Sequence, residues 1–220
     1  MRRAIVVCVY FGARRAGNCN PREAEVAGLV EEHKERCPSG WDLWFVVNGE
    51  GEVDWPRVIY RDNDGGPFAA YAEWWRLHGE GVERVVLLED DVMVTDPSWY
   101  SEASLYIEEC PAVGMVALSP IVKSPQLHAG GGVGMYRGDA LRAVVRDKGA
   151  LTTCRGASYG ALEAGEMEFT WNLIESGYDL AALPGVSSLS ENWREHGSMA
   201  RWGVVPSGRF VYRSGPRKEA

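Results

Sequence analysis

The sequence predicts an α/β protein: a single domain with a mostly parallel central sheet flanked by helices. Short runs rich in Val, Ile and Leu alternate with longer stretches of helical period, the pattern of parallel strands joined by crossover helices. Clusters of Gly, Pro and Asn punctuate the runs as turns. One run, Val85–Leu88, ends on three acids, Glu89-Asp90-Asp91. In open α/β sheets, ligands sit at the carboxyl ends of strands, so the acids suit such a sheet.

The elements follow in order. Ala4–Tyr10 is a buried strand by its length and its valines. A Gly/Asn/Arg loop spans Gly12 to Asn20, and Asn20-Pro21 with Glu23 then reads as a helix start, a capping Asn followed by Pro at the first position. Val26, Leu29 and Val30 give that helix its buried face, and Pro38-Ser39-Gly40 stops it. Asp42–Val47 is the second strand and Val58–Tyr60 a short third, leading into the turn-rich Asp62–Gly66. Pro67 opens a helix with Phe68, Tyr71, Ala72 and Trp75 on one face, and Val85–Leu88 follows as the fourth strand. Asp96-Pro97 caps a helix to about Cys110, after which Val113–Leu118 and Val133–Tyr136 read as strands. A short helix starts at Gly138-Asp139, with Leu141, Val144 and Val145 on its apolar face. Gly149–Gly160 reads as loop, Gly165 to Ser176 as helix, Tyr178–Leu183 as a last strand, and the tail from Pro184 as irregular. No internal repeat or low-complexity block divides the chain.

Composition narrows the function. The 220 residues are 45% hydrophobic and 25% charged, an ordinary globular mixture. A net charge of −8 argues against broad binding to nucleic acid or anionic membrane. The charge is uneven: residues 193–220 carry six Lys/Arg against Glu195 and Glu219, or +4, which leaves −12 on the remainder. The cysteines at 8, 19, 37, 110 and 154 form no C-x-x-C pair, which disfavours a zinc ribbon and suits reduced thiols in a cytoplasmic protein. Met1-Arg2-Arg3 precedes an apolar stretch that is short and β-branched, so it reads as the first strand and not as a signal peptide. No run approaches the ~20 apolar residues of a membrane span.

Four constellations can carry chemistry. Glu89-Asp90-Asp91 is costly without a counter-charge, because adjacent carboxylates resist joint ionisation. A hard divalent cation removes that cost and can then hold phosphate oxygens. Glu166 and Glu168 lie two apart, so on a helix they do not share a face, and one could serve as a general base in a cleft. Ser190–Gly197 places His196 beside Trp193 and Arg194, a set suited to metal ligation, stacking and phosphate contact. His128-Ala129-Gly130-Gly131-Gly132-Val133-Gly134 is neither a Walker A loop nor a dinucleotide fingerprint. Its glycines allow a substrate close to backbone, or simply a turn.

Taken together, these motifs resemble the GT-A-fold (Rossmann-like) nucleotide-sugar glycosyltransferases, most nearly the large family 2 type, over about residues 4–197. Asn63-Asp64-Gly65-Gly66 with Ala69, Ala70 and Ala72 looks like that family's Asn-x-Gly…Ala stretch, and Leu88–Val92 like its Asp-x-Asp motif in Glu-Asp-Asp form. Gly131–Tyr136 with Gly138-Asp139-Ala140-Leu141 looks like the acceptor-side strand and helix. Glu166-Met167-Glu168-Phe169…Gly177-Tyr178 resembles the Glu-Asp-x-x-Phe…Gly-Tyr segment, with Gly165 in place of the first acid, and His196 resembles the late metal-site histidine. Asn48-Gly49-Glu50-Gly51 stands where the family has Asp-x-Ser-x-Asp.

The resemblance implies a hexosyltransferase-type enzyme with a catalytic domain over 1–197 and a basic, aromatic tail over 198–220 packed on or extending it. It implies Mn²⁺ or Mg²⁺ at Asp91, Glu89 and His196, and Glu166 as catalytic base in an inverting displacement. Val9, Tyr10, Phe11, Asn48, Asp62, Asn63, Asp64, Asp90 and Arg194 would bind the nucleotide-sugar, expected to be a UDP-sugar. Gly131, Gly132 and Trp193 would lie on the acceptor side. The acceptor is a saccharide or a hydroxymethylated base in DNA, as in phage sugar transferases; no membrane and no obligate protein partner is expected. A nucleotidyltransferase shares related architecture, but its Gly-rich signature with Arg and Lys is missing from residues 4–22. A non-catalytic nucleotide-sugar binding module is the remaining alternative.

Overall fold

A computed structural model describes residues 2–11, 23–90, 92, 94, 97–119, 121–122, 128–154, 159–183 and 210–212. In chain order these form β1 (Arg2–Phe11), α1 (Glu23–Arg36), β2 (Asp42–Gly49), β3 (Val58–Arg61), α2 (Gly66–His78), β4 (Val82–Glu89), α3 (Ser98–Glu109), β5 (Val113–Ala117), β6 (Ile121–Val122), β7 (His128–Ala129), β8 (Gly134–Arg137), α4 (Gly138–Lys148), α5 (Tyr159–Glu175), β9 (Asp179–Ala182) and β10 (Phe210–Tyr212).

The main sheet is ordered β10-β9-β5-β8-β4-β1-β2-β3. β1 pairs in parallel with β2 and β4, β2 with β3, and β5 with β9. β8 is reversed and runs antiparallel to both β4 and β5. The reversal positions the site. Gly134, the first residue of β8, stands opposite Leu87 near the end of β4. The chain leading into β8 therefore reaches the end of the sheet where β1 to β4 finish.

Side chains alternate across β1, as a strand requires. Ala4, Val6, Cys8 and Tyr10 join a core with Tyr71 and Trp74 of α2, Leu141 of α4 and Phe169 of α5. Ile5, Val7 and Val9 join a second core with Val30 of α1 and Trp99, Ala103 and Ile107 of α3. Helices thus cover both sheet faces, and the continuous apolar run Val85–Leu88 is buried on both sides.

Three stretches differ from expectation. Helix α5 begins at Tyr159 and not at Gly165, so residues 159–160 of the expected loop are helical. Gly160 and Gly165 depress helix propensity there, and packing overrides it. Ile121–Val122 and His128–Ala129 pair as a two-stranded antiparallel ribbon, too short to leave a periodic signal. Phe210–Tyr212 pairs antiparallel with β9, so the tail is not wholly irregular; Phe-Val-Tyr favours a strand once an edge is available. The expected helix caps Asn20-Pro21 and Asp96 lie outside the described residues. Among the described residues, no helix is long and apolar enough to cross a membrane.

Candidate active site

The register of β4 aims its acids. Cys8 of β1 stands opposite Glu89, so Glu89 projects to the face of Cys8 and Tyr10, under α2 and α5. Glu89 and Asp90 are 7% and 4% exposed. Buried carboxylates need compensation. Asp90 Oδ2 accepts a hydrogen bond from the Tyr10 N–H at 2.9 Å, tying the end of β4 to β1. Glu89 lies near a cluster of tyrosines. The fully buried Tyr71 hydroxyl is held well above the ordinary tyrosine range, first by burial and then by the negative charge of Glu89.

The second acid comes from α5. Glu166 is partly exposed while Glu168 is fully so, because residues two apart on a helix point to different faces. The fully buried Tyr136 hydroxyl donates to the Gly132 carbonyl. It too is held above its usual range, by burial and then by Glu166. Phe169, one turn along α5 from Glu166, packs its ring 5.3 Å from Phe68, 5.7 Å from Tyr136 and 6.2 Å from Tyr71. These contacts fix α2, β8 and α5 around one aromatic floor.

Gly130–Gly132 form a 3₁₀ turn between β7 and β8, packed on α5. Gly132 adopts φ 61°, in the left-handed region, and a Cβ there would stand 2.9 Å from Phe68 Cε1. The turn therefore needs glycine at this position. His128, just before the turn, is buried with Nε2 3.6 Å from Glu166 Oε1.

On the opposite flank, Asn48 is fully buried at the end of β2. Its Nδ2 donates to Cys8 Sγ at 2.9 Å, and its Oδ1 accepts from Arg61. Arg61 also donates to the Asp64 carbonyl, and the Asp64 N–H donates to the Asp62 carbonyl at 2.8 Å. Asp62 and Asp64 are exposed and Asn63 partly so, at the mouth of the strand ends. Sequence reasoning missed Arg61; its sole signal is its place at the end of β3, opposite Asn48 in register. Val9 is buried in the core under α1 and α3, which leaves its backbone to meet a ligand. Asp91, Trp193, Arg194 and His196, and the side chain of Phe11, lie outside the described residues. Among the described residues, no three His, Cys, Asp or Glu side chains are grouped to hold a cation.

No protein-family model matches the sequence, and no curated protein matches it. Solved structures do share the architecture. The catalytic domain of Drosophila β1,4-galactosyltransferase 7, in complex with xylobiose, superposes with a TM-score of 0.51 at 9% identity, over 96% of this chain and 77% of that chain. The fold is of the GT-A (Rossmann-like) α/β type. A second GT-A-like neighbour, CMP:2-keto-3-deoxy-manno-octonic acid synthetase complexed with CTP, also gives 0.51, at 14% identity over 91% of this chain and 99% of that chain. In an open α/β sheet the strand ends form the ligand crevice. Glu89, Asp90, Asn48 and Arg61 all sit at such ends here.

Proposed function

We propose that the protein transfers a sugar from a nucleotide-sugar donor to an acceptor hydroxyl in a metal-dependent reaction. One observation carries the reading. Buried Glu89 closes β4 at the carboxyl end of the sheet, and Glu166 stands on α5, whose Phe169 packs against Tyr71 and Tyr136 beside that strand. One carboxylate at a strand end and a second on a neighbouring helix suit the two halves of a displacement, one serving the leaving group and the other the acceptor.

Glu89, Asp91 and His196 would hold Mn²⁺ or Mg²⁺, with Asp91 as the direct ligand. Glu89, the one of these within the described residues, fits such an ion as a hard carboxylate donor, buried next to Asp90, and a divalent charge would relieve the repulsion between the two. When bound, the cation neutralises charge developing on the leaving diphosphate. Asp90, whose Oδ2 accepts from the Tyr10 amide, would orient the donor ribose or sugar. Asn48, Asp62, Asn63 and Asp64 would surround the nucleoside, for which uridine is the expectation, and Arg194 would contact phosphate. Gly131, Gly132 and Trp193 would flank the acceptor. Glu166 takes the acceptor proton as that oxygen attacks the anomeric carbon and the nucleoside diphosphate departs, with inversion. A saccharide is the first acceptor to test. A hydroxymethylated base in DNA is the second, because the basic tail can meet phosphates, although the base would have to be flipped out.

The test is release of nucleoside diphosphate from a panel of nucleotide sugars with Mn²⁺ or EDTA. Glu166→Gln is expected to slow transfer by about 10²–10⁴. Activity that survives both EDTA and Glu166→Gln overturns the reading. Pyrophosphate release would identify a nucleotidyltransferase, and tight donor binding with neither transfer nor hydrolysis a binding module.

A further inference from the structure

The histidine that precedes the glycine turn has no role in the reaction as described. We propose that His128 is the positioning partner of Glu166, setting the orientation of its carboxylate toward the acceptor through a charge pair. The proposal rests on Glu166 being the general base.

The geometry is specific to these two side chains. His128 Nε2 lies 3.6 Å from Glu166 Oε1, with side-chain exposures of 7% and 25%. That separation is too long for a hydrogen bond and suits a charge pair when the imidazole is protonated. The strand carrying His128 is fastened to the same helical turn as Glu166. The Ala129 N–H donates to Thr170 Oγ1 at 3.3 Å, and the Thr170 hydroxyl donates to the Glu166 carbonyl at 3.3 Å. From the other side, the Tyr136 hydroxyl holds the Gly132 carbonyl. The imidazole is therefore held at a set distance from the base by two backbone tethers.

The physical need is clear. A half-exposed Glu side chain samples many rotamers, and fixing it costs up to about 2 kcal/mol of side-chain entropy. A buried partner on one oxygen removes that cost before substrate binds, which is how a second side chain supports a catalytic one. In the transfer step the proton moves from the acceptor oxygen to Glu166. His128 keeps its own proton, so it is a positioning residue and exchanges nothing with substrate. Among the described residues, the other titratable groups near this end of α5 are the Tyr136 hydroxyl on β8, Tyr71 on α2, the Cys154 thiol, which lies against Gly165, and the exposed Glu168 on the same helix. The Lys148–Glu175 pair between α4 and α5 sits at the far end of the helix.

Two measurements test the pair. ¹⁵N-histidine NMR of the full chain follows the His128 imidazole through pH in wild type and in Glu166→Gln. Loss of the facing carboxylate is expected to lower the imidazole midpoint by about one pH unit. Steady-state transfer by His128→Phe is expected to show kcat reduced about 10–100-fold, donor KM within about twofold, and the acid limb of the kcat–pH profile moved to higher pH. His128→Gln, which is polar but uncharged, should show the same losses, and it stands in if His128→Phe fails to fold. In a Glu166→Gln background the His128 change should add less than about twofold, because the two act as a unit. An imidazole midpoint indifferent to Glu166→Gln, or fully additive losses in the double variant, overturns the proposal. Undiminished transfer by Glu166→Gln instead removes the base assignment, while the NMR coupling still decides whether the pair exists.

Discussion

Gly165 is buried on α5, and the packing around it makes a sharp prediction. A Cβ at Gly165 would lie 2.4 Å from Cys154 Sγ, 3.3 Å from Phe68 Cδ2 and 3.6 Å from Cys154 Cβ. Ordinary contact distances between such atoms are about 3.5–4.0 Å, so the thiol occupies the space a side chain would need. Gly165→Ala therefore sets two effects against each other. Replacing Gly in a helix interior favours folding by about 1 kcal/mol. Overlap in a packed core costs about 1–3 kcal/mol. The single variant should lose about 1 kcal/mol net, and Cys154→Ala alone about 1 kcal/mol through its cavity. The double variant puts the new methyl where the sulfur was and should return to within about 0.5 kcal/mol of wild type, a coupling of about 1.5–2 kcal/mol. Urea unfolding at constant m reads each step as a shift in midpoint. A Gly165→Ala protein as stable as wild type, or a double variant equal to the sum of the singles, would refute the reasoning.

Other outcomes follow from burial. His33 on α1 is buried, and burial followed by the nearby Arg36 charge lowers its pKa to about 4. Since the unfolded chain binds the proton more readily, stability should fall as pH drops from about 6.5 to 4, by about 3 kcal/mol, and acid titration of His33→Phe should lack that loss. Tyr71 and Tyr136 are buried with raised pKa values, so the folded state holds two phenolic protons that the unfolded chain releases near pH 10. Stability should then decline above that pH by about 3 kcal/mol per pH unit. Phenolate absorbance from these two should appear only with unfolding, and smooth ionisation of the intact fold would contradict this. Asp90→Ala removes the acceptor from the Tyr10 amide and should cost about 1–3 kcal/mol in thermal or urea unfolding, whereas Asp90→Asn should recover part of it by keeping an acceptor oxygen.

The sheet was legible where burial on both faces demands uninterrupted apolar residues, as in Ala4–Tyr10 and Val85–Leu88. The acids at Glu89 and Asp90 were visible for the same reason, since a charge closing such a run contrasts with it. Strand direction was not visible. Nothing in Gly134–Arg137 distinguishes a reversed strand from a parallel one, yet the reversal brings the His128–Gly132 stretch to the site. The pair Glu166 and Glu168 was readable as a choice between two faces, and the helix rotation resolves it. Arg61 and His128 were missed as partners because their counterparts, Asn48 and Glu166, come from other elements and only the register or the tertiary fold joins them. The early start of α5 was hidden by glycines whose value lies in close packing.

The thiol of Cys8 adds a use for the Asn48 contact. Cys8 is fully buried beneath the strand ends and accepts a hydrogen bond from Asn48, while Cys37 and Cys110 are partly accessible. A thiol reagent can reach Cys8 only when this end of the sheet opens, so its rate of modification measures the frequency of that opening. A compound filling the crevice would slow labelling at Cys8 and leave Cys37 and Cys110 unaffected. The native chain thus carries its own kinetic reporter of occupancy, readable by mass spectrometry of the thiol adducts without a substrate or knowledge of the reaction.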